Sequence, residues 1–99
     1  MPTETDRVQI TRHDDRNRYE LTVDGERAGY AEYRAMPGRI VFTHTVVYPQ
    51  HEGEGLGSRL AKRVLDDAVA DGLTIVPQCP FIGAYLKRHT EYEASVDWP

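Results

Sequence analysis

The chain has 99 residues, 39% hydrophobic and 28% charged, with a formal net charge of −4. That length suits one domain and leaves no room for a second with its own core, and the acidic balance argues against nucleic acid as the main partner. A single cysteine, Cys79, excludes an internal disulfide, and the scattered His13, His44, His51 and His89 do not make a metal cluster. No apolar run approaches the roughly 20 residues that cross a bilayer, and Met1 to Thr11 is too polar for a secretory leader. The expectation is a cytoplasmic protein with no membrane or nucleic-acid partner.

Val8 and Ile10 alternate with polar residues as far as His13, which predicts a first strand. Asp14-Asp15 form a turn, and Tyr19, Leu21 and Val23 share one face of a second strand over 18–23. Asp24-Gly25 is a strong hairpin signal, because a type I′ turn needs two positive φ angles. The returning strand covers 27–34, Met36-Pro37-Gly38 turns the chain again, and 39–48 is a fourth strand rich in β-branched and aromatic residues. Pro49 ends it. Leu56, Leu60, Val64, Leu65, Ala68 and Val69 then form the stripe of a helix over 56–70, stopped by Gly72.

Leu73 to Val76 reads as a short buried strand, and Pro77 and Pro80 bracket Cys79. A short helix over 81–88 follows, with Phe81, Tyr85 and Leu86 on its inner side, and residues 90–99 carry weak signals that suggest a loosely packed tail. The order β-β-β-β-α-β-α makes an α+β fold, an antiparallel β-meander followed by a β-α-β-α unit. Its helical crossover makes the fourth and fifth strands a parallel pair. Residues 1–99 are expected to be a single domain with its core over about residues 8–92.

Between the fourth strand and the long helix stands Glu52-Gly53-Glu54-Gly55-Leu56-Gly57-Ser58. Glycines allow close backbone approach, and the first turn of a helix has free N–H groups at its positive dipole end, so an anion can sit there. A P-loop is excluded, because Ser58 stands where its second glycine should and no lysine follows. A dinucleotide fingerprint fails as well, with Ser58 or Leu60 at the last glycine position.

This turn resembles the signature of the GNAT superfamily of N-acetyltransferases: Arg or Gln, two residues, Gly, one residue, then Gly or Ala. Gly55 and Gly57 fall on the small positions, and Glu52 stands where Arg or Gln is usual. A second frame, Gln50-x-x-Gly53-x-Gly55, fits the run into the helix less well. Ile75-Val-Pro-Gln-Cys-Pro-Phe-Ile-Gly-Ala-Tyr85, together with His44-Thr45 and Lys87 to Tyr92, resembles a small single-domain branch of that superfamily, over about residues 19–96.

The resemblance implies acetyl-CoA as cofactor, slotted between splayed fourth and fifth strands. Val46, Val47 and Tyr48 would line it, with backbone N–H groups there as oxyanion donors. Glu52, Gly53, Glu54, Gly55, Leu56, Gly57 and Ser58 would cradle its pyrophosphate. The implied activity is N-acetyl transfer to a small-molecule or peptide amine by a monomer or weak homodimer. The alternative is a non-catalytic acetyl-CoA-binding module that supports or regulates a partner.

Three residues are candidates for the chemistry. Pro80 suits a first helical position, which places Cys79 at an N-cap where the dipole favours a thiolate. The branch suggests Cys79 as an acetyl acceptor, whereas packing alone would make it a small core residue. Tyr85 matches the tyrosine that protonates the departing thiolate, or is a core aromatic. His44 is a candidate base, or a hydrogen-bonded structural histidine, because branch members often carry glutamate where Val46 stands. Arg59, Lys62 and Arg63 could meet the 3′-phosphate or form a solvated face.

Overall fold

The computed structural model describes residues 7–99. Alternating apolar residues set up β1 (Val8–His13), β2 (Arg18–Val23), β3 (Glu26–Met36) and β4 (Arg39–Val47). Each pairs antiparallel with the next. Asp24 and Gly25 take φ of 52° and 83°, the two positive angles of a type I′ hairpin turn. Helix α1 (Leu56–Ala70) crosses over to β5 (Thr74–Pro77), which pairs parallel with β4 over Arg39 to Phe42. Helix α2 (Pro80–Arg88) and a 3-10 helix, Thr90–Ser95, complete the chain. The result is an α+β fold around one five-stranded sheet in the order β1-β2-β3-β4-β5.

Both helices pack on one sheet face. Tyr19, Ala31, Tyr33, Ile40 and Phe42 meet Leu60, Val64 and Leu65 of α1 and Ile82 and Leu86 of α2 in one core. A smaller cluster joins Leu56 to Leu21, Val23 and Ala28. Polar hooks fix α1 against the strands: the Tyr19 hydroxyl donates to Asp67 at 2.9 Å, and Arg63 donates to Asp67 and to the Ile10 carbonyl. The helix ends in paired hydrogen bonds, Gly72 N–H to Val69 and Leu73 N–H to Ala68, which close a Schellman motif. Among the described residues no helix is long and apolar enough to cross a membrane.

Three sequence expectations change. Val69 is exposed and Ala61 is buried in its stead, because Val69 falls about 40° past Leu65 around the helix, outside the stripe. Phe81 is not on the inner side of α2; Ile82, Tyr85 and Leu86 are buried, and Phe81 is 38% exposed. The tail is not loosely packed. Val96 bridges to Ile75 on the outer edge of β5, Asp97 N–H donates to the Ile75 carbonyl at 2.8 Å, and Asp97 pairs with Arg39.

Tyr92 anchors that tail. It is buried, and its hydroxyl donates to Asp66 on α1, whose other oxygen accepts from Lys62. The Tyr92 hydrogen bond, then that of Lys62, hold the Asp66 carboxyl below its ordinary value of 3.8. A depressed folded-state value stabilises the fold above the unfolded value, and that stability is lost as pH falls through the folded one. Tyr92→Phe should therefore be less stable than the wild type at neutral pH. The two denaturation midpoints should converge below about pH 4. Urea titrations across pH check this; a constant gap down to acid pH would remove Asp66 from the linkage.

Candidate functional site

The site begins where β4 and β5 part. Thr74 and Gln78 face β4 and donate to the Gly38 and Phe42 carbonyls, and residue 80, next at that alternate spacing, is a proline with no N–H, so the ladder ends there. Gln78 and Cys79 then both donate their N–H to the Phe42 carbonyl, at 3.1 and 2.9 Å. Beyond that point β4 runs on to Val47 with no β5 beside it. On its other side the register jumps from Tyr33↔Phe42 to Glu32↔His44, which leaves Thr43 as a bulge. The bulge resets the alternation. Thr45 turns toward the helices, where its Oγ1 lies 3.4 Å from Cys79 Sγ, while His44 turns to the open face beside Glu32.

A cavity of about 500 Å³ occupies the gap, of a size that suits a small-molecule site. Its walls are the free half of β4, the glycine turn, the first turn of α1 and Phe81. Gly55 is the N-cap of α1 with φ of 74°, a left-handed angle that other residues adopt only with strain. Arg59 is the first N–H to reach back to Gly55, at 3.3 Å, so the first-turn amides are left to the cavity. At Gly57 a Cβ would meet the Phe81 ring at 2.7 Å. This glycine lets the two helices close on each other at the mouth.

The structure brings most of the expected cofactor residues together. Val46, Val47, Glu52, Gly53, Gly55, Leu56, Gly57 and Ser58 all line the cavity. Tyr48 does not: its N–H donates to the Ala28 carbonyl at 2.8 Å and is unavailable as an oxyanion donor. Glu54 faces a second cavity on the other side of the loop. Cys79 is at the N-cap of α2, buried beside Thr45, although its side chain makes no capping bond.

Tyr85 lies outside the cavity. Its ring stacks on His89 at 3.9 Å between centroids. Burial pushes its hydroxyl pKa up, opposed by nearby Lys62. Lys62 and Arg63 are taken up by Asp66 and Asp67, which leaves Arg59 as the member of the basic patch with no ion pair among the described residues.

Three lining residues escaped the sequence reading: Thr45, His51 and Phe81. Thr45 was hidden by the bulge, which no pattern announces, and Phe81 by its helical spacing with Tyr85. His51 is mostly buried beneath the loop, 3.7 Å from both Glu26 and Glu54, and its Nε2 has no hydrogen-bond partner among the described residues.

A family model for GCN5-related N-acetyl-transferases matches residues 18–96. The chain belongs to the GCN5-related N-acetyltransferase family. By family it is an acetyltransferase. No curated protein matches the sequence. Among solved structures, a GCN5-like protein from Staphylococcus aureus superposes with a TM-score of 0.73 at 23% identity, over 94% of this chain and 91% of that one. The ribosomal-protein-S18-alanine N-acetyltransferase of Escherichia coli gives 0.57 at 20% identity, over 70% of this chain and 40% of its own. N-acetylglutamate synthase from Neisseria gonorrhoeae, complexed with coenzyme A and N-acetyl-glutamate, gives 0.55 at 22% identity over 67% of this chain and 18% of its own. The chain thus spans less than half of the larger enzymes and nearly all of the small staphylococcal protein.

The turn geometry makes a test of its own. Gly55→Ala should fold but lose about 1–2 kcal/mol, the cost of a left-handed angle for a residue with a Cβ. Gly55→Asn should lose less, because asparagine tolerates that region. Equal stability of all three in guanidinium titrations would mean that the loop does not hold this conformation.

Proposed function

We propose that the chain binds acetyl-CoA in the cavity beside β4 and moves its acetyl group to an amine. The observation that carries this reading is continuity. One cavity runs from the free amides of α1 along the unpaired half of β4 toward Thr45, whose hydroxyl touches the Cys79 thiol. The pyrophosphate would lie on the helix start, where the dipole and N–H groups favour an anion. The pantetheine arm would follow β4. With Tyr48 N–H turned back to Ala28, alternation directs the Val47 N–H to the open edge, where it would receive the thioester oxygen.

Two departures shape the chemistry. Val46 cannot act as a base, and Phe81 stands where a proton donor would be useful. With Tyr85 packed beside Lys62 and His89, we assign protonation of the departing sulfur to the Cys79 thiol, which is held by Thr45. The amine attacks the thioester carbonyl directly; the C–N bond forms, the nitrogen gives up a proton to solvent, the C–S bond breaks, and the coenzyme A thiolate takes the Cys79 proton, which solvent restores.

Calorimetry should show saturable acetyl-CoA binding to the wild type and weaker binding to Gly57→Ala, whose methyl would drive the Phe81 ring into the mouth. Phe81→Ala in the same chain should restore affinity. Cys79→Ala should bind normally and transfer about 10²-fold more slowly, the lower end of the range for a general acid. Thiol release with a panel of amines, peptides and polyamines reads the transfer. An acetyl group found by mass spectrometry on the Cys79 peptide would replace direct attack with a covalent route. Binding without thiol release to any amine would favour a non-catalytic acetyl-CoA module, and no binding at all would remove both readings.

A further inference from the structure

The sheet face opposite the helices holds a second group of polar side chains, among them His44, Glu32 and Arg18. Two neighbours bracket His44 Nδ1. Glu32 Oε1 lies 3.3 Å away across the strand pair, and Thr43 Oγ1 lies 3.2 Å away on the bulge. Thr43 has one hydroxyl proton, and it is directed at the Glu32 backbone carbonyl at 3.3 Å. Toward His44 it can therefore only accept. The Glu32 carboxylate also only accepts. Both neighbours thus demand a proton on Nδ1, which in neutral imidazole leaves the lone pair on Nε2.

Glu32 is itself fixed. Arg18 donates to its other oxygen at 3.0 Å, and the Arg18 guanidinium lies 4.3 Å from the centre of the Tyr30 ring. The His44 side chain is 67% exposed. Its backbone stands two residues beyond the Phe42 carbonyl that ends the β4–β5 pairing.

We propose that Glu32 and Thr43 hold His44 in the Nδ1–H tautomer, so that its Nε2 takes the proton of an ammonium acceptor entering from the open sheet face. This rests on the transfer reading above and supplies the base that Val46 cannot be. In the step, one N–H bond of the acceptor ammonium breaks and an Nε2–H bond forms. The electron pair stays on the amine nitrogen for attack. The imidazolium is stabilised by the Glu32 carboxylate and gives its proton to water after transfer. Glu32 and Thr43 are positioning residues; His44 alone touches the acceptor.

Long-range ¹H–¹⁵N spectra of the free wild-type protein, recorded where His44 is neutral, should show the proton on Nδ1. In Glu32→Ala and in Thr43→Val the population should move toward Nε2–H, the form an unrestrained histidine side chain favours. With an acceptor that supports turnover, Glu32→Ala should lower kcat about tenfold or more while leaving KM for acetyl-CoA unchanged. Glu32→Asp should recover part of the loss, and His44→Gln should lower kcat by about 10²-fold, as expected for a lost base. A wild-type His44 with its proton on Nε2, or a Glu32→Ala enzyme with wild-type kcat, would overturn the assignment. Failure of the transfer reading is seen separately, as wild-type protein that binds acetyl-CoA and releases no thiol; the tautomer is read without any turnover.

Discussion

Everything around the site depends on one carbonyl oxygen and one missing proton. Gln78 makes the last ladder bond to the Phe42 carbonyl, Cys79 N–H folds back onto the same oxygen, and Pro80, next to face β4, has no N–H to give, so pairing between β4 and β5 stops. Pro80 then starts α2 at once. The gap is therefore built from the covalent restriction at Pro80.

The bulge at Thr43 has the complementary effect. It falls at the same level on the other side of β4 and turns two neighbouring side chains to opposite faces. Thr45 goes with Cys79 to the helix side, and His44 goes with Glu32 to the open side. In the proposed reading, β4 thus backs the acid through Thr45 on one face and carries the base, His44, on the other. The staphylococcal protein shares this small fold over nearly its whole length.

The sequence made the elements readable because their signals are local: alternation for the meander, Asp24-Gly25 for the hairpin, a helical stripe from Leu56, and a glycine stop. It also placed the glycine turn correctly. It was silent where position depends on tertiary contacts. Tyr85 and Phe81 are four residues apart on one helix, and only the approach of α1 at Gly57 decides that Phe81 meets the cavity. The tail looked weak because its hold is one tyrosine on Asp66 and one edge bridge, neither of which leaves a periodic trace. The inward turn of Thr45 follows from an unpaired residue that no alternation pattern reveals.

The central claim is that the gap where β4 and β5 part is where acetyl-CoA binds. A ¹H–¹⁵N titration of the labelled protein with acetyl-CoA tests it most directly. Amide signals of Thr45, Val47, Gly55, Gly57, Ser58 and Cys79 should shift together along one saturable curve, while those of the β1–β2 pair stay in place. Shifts centred instead on Arg7, Asp24 and Glu26 at the second cavity, or no saturable shift at all, would contradict the account.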